Sequence, residues 1–260
     1  MNTGPDRFAD LTGFKNLSGL RSKEAALVVE RCEWVVLFDW DGTLVDSLDI
    51  KVHNAGRLFA RRLGLDSQSV EASYRRHSGV PRHKLFEAIC RENGLASLSP
   101  ARFNRLSERF SEMNLAALSD PHTPGLAPEQ TPATLRALQA RGCRMYVSSS
   151  SVEKELELLA HGLGLRDYFD GILGSRPGFG KGPQHVAYVL EETSAKHEQI
   201  VMVGDDVTDV RLGQEAGVLT IAKTGTHTRE RLEQEAPDYI IDTLGQLVGI
   251  LENRRPVARG

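Results

Sequence analysis

The sequence predicts an α/β fold: a parallel sheet covered by helices on both faces, with an all-helical insertion. Three observations predict it. Short apolar runs alternate with stretches of helical periodicity, as in a parallel sheet whose crossovers are helices. Between Ile50 and Ser119 the strand-like runs stop and only helical stripes remain. That segment also differs in charge, with 12 lysines and arginines against 6 aspartates and glutamates, whereas the rest of the chain holds 20 against 29.

The elements follow in order. Trp34-Val35-Val36-Leu37-Phe38 is a short apolar run ending at Asp39, the pattern of a fully buried strand. Similar runs recur at Cys143 to Val147, Gly171 to Leu173, Ile200 to Val203, Val218 to Ala222 and Tyr239 to Ile241. Thr131-Pro132 reads as an N-cap followed by proline in the first turn, opening a helix to about Arg141. Further helices are expected over Ser151–Leu163, Gln184–Thr193, Asp206–Ala216 and Thr228–Glu235, with Gly142, Gly164 and Gly217 just past three of the helix ends. In the basic segment, Val52, Ala55, Leu58, Phe59 and Leu63 form one stripe, and Leu85, Phe86, Ile89 and Cys90 a second. A third helix opens at Ser99-Pro100, with Phe103, Leu106, Phe110 and Met113 on one face. Ahead of the first strand, Ser22–Arg31 suits a short helix.

Composition narrows the function. A chain of 260 residues, 40% hydrophobic and 26% charged, builds an ordinary core. At about 150 residues per domain it suits one large domain, or one carrying a smaller second. A net charge of -3 argues against a dedicated nucleic-acid binder. No apolar run approaches the roughly 20 residues of a membrane helix, and Met1–Asp10 lacks an apolar signal core. Cys32, Cys90 and Cys143 are odd in number and widely spaced, so neither a disulfide scaffold nor a cysteine zinc site is expected, and a reducing cytoplasm fits.

Four places carry chemistry. Asp39-Trp40-Asp41-Gly42-Thr43 follows the first strand, where ligands bind in an open parallel sheet. Two aspartates one residue apart suit a nucleophile and a proton donor, although Asp-Gly is also a common turn. Gly204-Asp205-Asp206-Val207-Thr208-Asp209 ends another strand. Carboxylates converging from two strand ends repel unless a cation joins them, and hard oxygen ligands suit Mg²⁺; Asp206 equally suits a plain helix N-cap. Ser148 to Ser151 lead into a helix, a place for an anion or for simple capping. Lys181 sits in the glycine-rich loop Gly178-Phe179-Gly180-Lys181-Gly182-Pro183.

Taken in this order, the four places resemble the haloacid dehalogenase-like (HAD) superfamily, with Asp-x-Asp-Gly-Thr, a strand-end Ser or Thr, a loop Lys and Gly-Asp-x-x-x-Asp. Leu37 to Ser47 is most similar to the phosphoglycolate phosphatase-like branch. The resemblance covers about residues 34–250 and implies a Rossmann-like core with a helical cap inserted after the first motif. It divides the chain into an N-terminal extension of unknown role (1–33), a catalytic core (34–49 and 120–252), a cap (50–119) and a tail (253–260). It implies that Asp39 forms an aspartyl-phosphate and that Asp41 protonates the leaving oxygen and then activates water. Asp39, the Asp41 backbone carbonyl and Asp205 would hold Mg²⁺, with Asp206 and Asp209 as further or substitute acids. Thr43, Ser149, Ser150 and Lys181 would bind phosphate. Lys181 departs from the usual Lys-Pro-x-Pro, being followed by Gly182-Pro183-Gln184.

The expected activity is a Mg²⁺-dependent phosphatase acting on a small phosphorylated metabolite, with neither nucleic acid nor membrane as partner, as a monomer or homodimer. A phosphosugar mutase using the same aspartate pair is one alternative, and a catalytically idle binding or regulatory protein is another. Positive charge clusters around the turn Ser78-Gly79-Val80-Pro81, so Arg75, Arg76, Arg82 and Lys84 are expected to meet an anionic part of the substrate, against the plainer reading of a solvated basic face.

Overall fold

The structure, a computed structural model, describes residues 32–120, 123 and 126–256. The helix expected over Ser22–Arg31 lies outside the described residues, as do most of the N-terminal extension and the last four residues of the tail.

The first described strand lies in the middle of the sheet. β1 (Val35–Phe38) is buried along its whole length. It is flanked by β2 (Arg144–Val152) and β4 (Ile200–Gly204), with β3 (Gly171–Ser175) beyond β2, and β5 (Leu219–Lys223) and β6 (Tyr239–Ile241) beyond β4. All neighbours are parallel, in the order β3-β2-β1-β4-β5-β6. The chain therefore winds outward in both directions from β1, and the crevice for a ligand opens at the carboxyl ends of β1 and its two neighbours.

Side-chain alternation explains why helices cover both faces. Val36 and Phe38 point into one cluster with Met145, Val147, Val201 and Val203, packed under Leu135, Leu138, Leu156 and Leu247. Val35 and Leu37 point into the other, with Tyr146, Ile200 and Met202 under Val186 and Val189. Each fully buried side chain of this size contributes about 1.5–3 kcal/mol. The covering helices are α5 (Gln130–Ala140), α6 (Glu153–Gly162), α7 (Pro183–Thr193), α8 (Val207–Glu215), α9 (Arg229–Glu233) and α10 (Gln246–Asn253).

Between β1 and α5 stand α1 (Leu48–Leu63), α2 (Ser67–Arg76), α3 (Arg82–Glu92) and α4 (Pro100–Leu118). Their apolar stripes meet in a separate cluster, where Phe86 packs edge-on against Phe59 at 4.9 Å, Phe110 at 5.6 Å and Phe103 at 5.8 Å between ring centroids. Ser99 caps α4, accepting from the Arg102 amide, with Pro100 in the first turn. Asp66 caps α2, accepting from the Ser69 amide at 2.8 Å. Among the described residues no helix is long and apolar enough to cross a membrane.

Three details depart from expectation. Thr131 does not cap α5, which begins one residue earlier; its buried hydroxyl donates to the Leu44 carbonyl at 3.1 Å. The serine run does not open a helix: β2 continues through Val152 with a register shift after Ser148, and α6 begins at Glu153. The third is a disulfide. Cys32 and Cys143 flank the amino ends of β1 and β2, which are adjacent in the sheet, and they are bonded with their Cα atoms 4.8 Å apart. Spacing in sequence could not reveal this, because the partners lie 111 residues apart. Cys143→Ser is expected to lower unfolding free energy by about 2–4 kcal/mol, measured against the wild type by denaturant titration without reductant.

Candidate active site

The tips of β1, β2 and β4 supply the first residues of the site. Asp39 follows β1 directly, and its amide donates to the Val203 carbonyl at the tip of β4 at 2.8 Å. The turn beyond it needs Gly42, which has φ +88°; a Cβ there would collide with the Asp205 carboxylate. That close approach brings the first and last acidic segments together. Thr43 Oγ1 donates to Asp205 Oδ1 at 2.7 Å, and Thr226 Oγ1 donates to its other oxygen.

Asp39, Asp205 and Asp209 are all buried, with a carboxylate oxygen of each within 4.8 Å of the others. Lys181 reaches into this group from the loop before α7. Its Nζ lies 2.5 Å from Asp39 Oδ1 and also pairs with Asp209, and its side chain is 3% exposed. Burial, and then the repulsion of Asp209 and Asp205, pushes the Asp39 carboxyl well above its ordinary range against the attraction of Lys181. Burial and Asp209 likewise raise Asp205, to about 6. Burial pulls the Lys181 ammonium down, but Asp209 and Asp39 outweigh it and the net shift is upward. Three buried carboxylates around one ammonium leave negative charge uncompensated, and an all-oxygen donor set of this kind fits a hard divalent cation.

Asp41 behaves differently. Burial acts to raise it, yet Lys51 and hydrogen bonds from Ser47 and Ser151 hold it below the ordinary carboxylate range. Lys51 Nζ lies 2.5 Å from Asp41 Oδ2 and donates to Ser151 Oγ at 3.0 Å, while Ser151 Oγ donates to the same carboxylate oxygen at 2.9 Å. Lys51 comes from the first turn of α1, so the insertion itself supplies the cation beside Asp41. Sequence reasoning missed it. The signal was present: Lys51 stands four residues before the buried Ala55, so a charge lies on the apolar face of that helix.

The remaining expected residues divide. Ser149 and Ser150 both line the cavity between sheet and insertion; Ser150 Oγ donates to the Gly79 carbonyl of the insertion's turn at 2.6 Å. Asp209 joins the buried acids, its Oδ2 accepting from the Asp206 amide at 3.0 Å. The Asp206 side chain does not join them. It caps α8 through the Thr208 amide at 2.9 Å and accepts from Ser78 Oγ at 3.0 Å, with His227 at 3.3 Å. Arg75 and Arg76 are exposed and pair with Asp49 and Glu92, and Lys84 is exposed; none of the three lines the cavity. Arg82 does line it, but its guanidinium grips Glu155 of α6 with two bonds of 2.9 and 2.8 Å.

A doubly wound sheet with acids at the tips of β1 and β4, a lysine between them and a helical insertion above defines a class of hydrolase fold. The chain belongs to the haloacid dehalogenase-like hydrolase family, which matches residues 36–223. It is 28% identical over 225 residues to the probable phosphatase IndB of Dickeya dadantii, covering 83% of this chain and 92% of that protein. It is 27% identical over 224 residues to a phosphoglycolate phosphatase of Aquifex aeolicus, covering 84% and 97%. A crystal structure of a predicted phosphoglycolate phosphatase from Haemophilus somnus shares the fold, with a TM-score of 0.68 at 21% identity over 84% of this chain and 98% of that one.

Proposed function

We propose that this protein is a Mg²⁺-dependent phosphatase that hydrolyses a small phosphorylated metabolite through an aspartyl-phosphate on Asp39. The observation that carries this reading is the placement of two aspartates at the end of β1: Asp39 among buried acids and against Lys181, and Asp41 apart from them beside Lys51. Asp39, in its ionised form, attacks the phosphorus and the bond to the leaving oxygen breaks, with the protonated form of Asp41, a minor form while Lys51 holds its carboxyl low, supplying the proton. Asp41 then takes a proton from water as the acyl-phosphate is cleaved, returning Asp39 free and releasing phosphate. Lys181 and Ser149 stabilise charge on the phosphoryl oxygens. Ser150 and Thr43 hold the surrounding frame, Ser150 against the insertion and Thr43 against Asp205.

Asp39, the Asp41 carbonyl and Asp205 would hold Mg²⁺, with Asp209 beside them, and the ion would supply positive charge at the transferring group. The insertion, residues 50–119, serves as the cap over a core of residues 34–49 and 120–252. The similarity to named phosphatases supports the reaction type. A cytoplasmic location was expected from unpaired cysteines; with Cys32 bonded to Cys143 that argument no longer carries it, and cell fractionation decides. Sedimentation distinguishes monomer from homodimer.

The test is phosphate release from a panel of phosphorylated metabolites with Mg²⁺ and with chelator. Release that needs Mg²⁺ supports the proposal, isomer formation without release indicates a mutase, and no turnover of any kind indicates an idle protein. Cation binding has its own pH signature. Because the Asp205 carboxyl is raised to about 6, it must lose a proton to bind the ion at lower pH. Mg²⁺ affinity measured by calorimetry is expected to fall about tenfold per pH unit below that value. A flat profile between pH 5 and 7.5 would remove Asp205 from the ligand set.

A further inference from the structure

The cavity between the sheet and the insertion is small, about 70 Å³. Beyond the acids and serines its lining includes Leu48, Tyr74, Val80, Leu85 and Phe110, and the insertion contributes two cations, Lys51 and Arg82. Neither cation is free. Lys51 is committed to Asp41 and Ser151. Arg82 spends Nη2 on Glu155 Oε2 and Nη1 on Glu155 Oε1, Ser111 Oγ at 2.7 Å and Ser107 Oγ at 3.2 Å. The third lining cation, Lys181, is held between Asp39 and Asp209. Arg75, Arg76 and Lys84 do not line it.

We infer that the leaving group of the substrate is compact and carries no negative charge. The inference rests on the phosphatase reading and deepens it by naming the substrate class: a phosphate monoester of a small neutral alcohol, not one bearing a carboxylate or a second phosphate. A second anion would enter a cavity already lined by Asp39, Asp41, Asp205 and Asp206. Among the described residues each lining cation already offsets a carboxylate, so to gain a positive charge of its own the second anion must draw Lys51 from Asp41 or Arg82 from Glu155, and either exchange leaves a carboxylate without its cation in a largely buried place. Removing one partner from a buried ion pair is strongly unfavourable, so the exchange returns little for what it breaks. A neutral alcohol asks for no such exchange: its carbon chain meets the aliphatic and aromatic wall and a hydroxyl finds the Tyr74 or serine hydroxyls.

Matched pairs test this. With Mg²⁺, phosphate release is compared between 2-hydroxyethyl phosphate and phosphoglycolate, and between glycerol 3-phosphate and 3-phosphoglycerate, with pyrophosphate as a doubly anionic case. The neutral member of each pair is expected to have a kcat/KM at least about tenfold higher. Equal values, or preference for the carboxylate or for pyrophosphate, overturns the inference while leaving the phosphatase reading intact. No release from any ester defeats the phosphatase reading instead. Glu155→Gln adds a second arm: it frees the Arg82 charge, and relative kcat/KM for phosphoglycolate over 2-hydroxyethyl phosphate should rise about tenfold. An unchanged ratio in a folded variant contradicts the claim that Glu155 neutralises Arg82, and the wild-type pairs decide the matter if the variant does not fold.

Discussion

Asp39→Asn is expected to abolish phosphate release, with a loss of about 10⁴-fold or more in kcat, the scale seen when a nucleophile is removed from a group of residues acting as a unit. The amide is nearly isosteric but has no anionic oxygen to attack phosphorus. Stability should not fall with activity. The Asp39 carboxyl is raised far above the ordinary carboxylate range by burial and by neighbouring acids, so its ionised form costs folding free energy at every pH above its unfolded value. A neutral asparagine removes that cost, at the expense of one contact to Lys181. The expected outcome is a cation-free variant melting within a few degrees of the wild type while hydrolysis disappears. Activity within tenfold of the wild type would remove Asp39 from the chemistry.

Lys181→Met is expected to damage both properties. Lys181 is the ammonium between Asp39 and Asp209, so its loss leaves those carboxylates facing each other in a buried place. Removing one partner from such a group costs about 3–5 kcal/mol, and withdrawing a charge that faces the transferring group costs about 10²–10³ in kcat. The direction with pH follows from the raised carboxylates. Lys181's own contribution is complete at neutral pH, because a raised ammonium loses it only above the unfolded value of 10.5. Asp39 and Asp209 titrate above 3.8 in the folded protein, and losing Lys181 pushes them higher. Their penalty therefore grows as pH rises and shrinks as they take up protons. The melting-temperature deficit of Lys181→Met, measured without divalent cation, should be larger at pH 7.5 than at pH 5. A deficit independent of pH would mean that Lys181 acts by packing alone.

Much of the fold was legible because its signals are local. Val35 to Phe38 had to be buried on both faces, and the acids that follow had to stand at a strand end. The sheet's register then did what spacing could not, setting Phe38 beside Val203 and Val147 so that three strand tips share one crevice. What was not legible are partnerships across elements. Lys51 and Asp41 are ten residues apart, but their contact depends on how α1 leaves the core. Arg82 read as a cation available to substrate because nothing near it in sequence announces Glu155, 73 residues on. The extension of β2 through Val152 escaped notice because four serines carry no apolar signal, although Ser148 is buried against His185 at 2.9 Å. α2 was not singled out as a helix because it buries only Val70, Ser73 and Tyr74, too few for a stripe.

The bond between Cys32 and Cys143 has a topological consequence. Everything from β1 through the first aspartates, α1 to α4 and α5 lies on a covalent ring closed at the foot of the sheet. A protease that cuts once inside the ring, for instance in the exposed stretch between α3 and α4, does not separate the molecule into fragments. The two pieces stay joined until a reductant opens the ring, so a nicked molecule keeps its full mass on a non-reducing gel and splits only on a reducing one. For this chain, an intact band is not proof of an intact backbone.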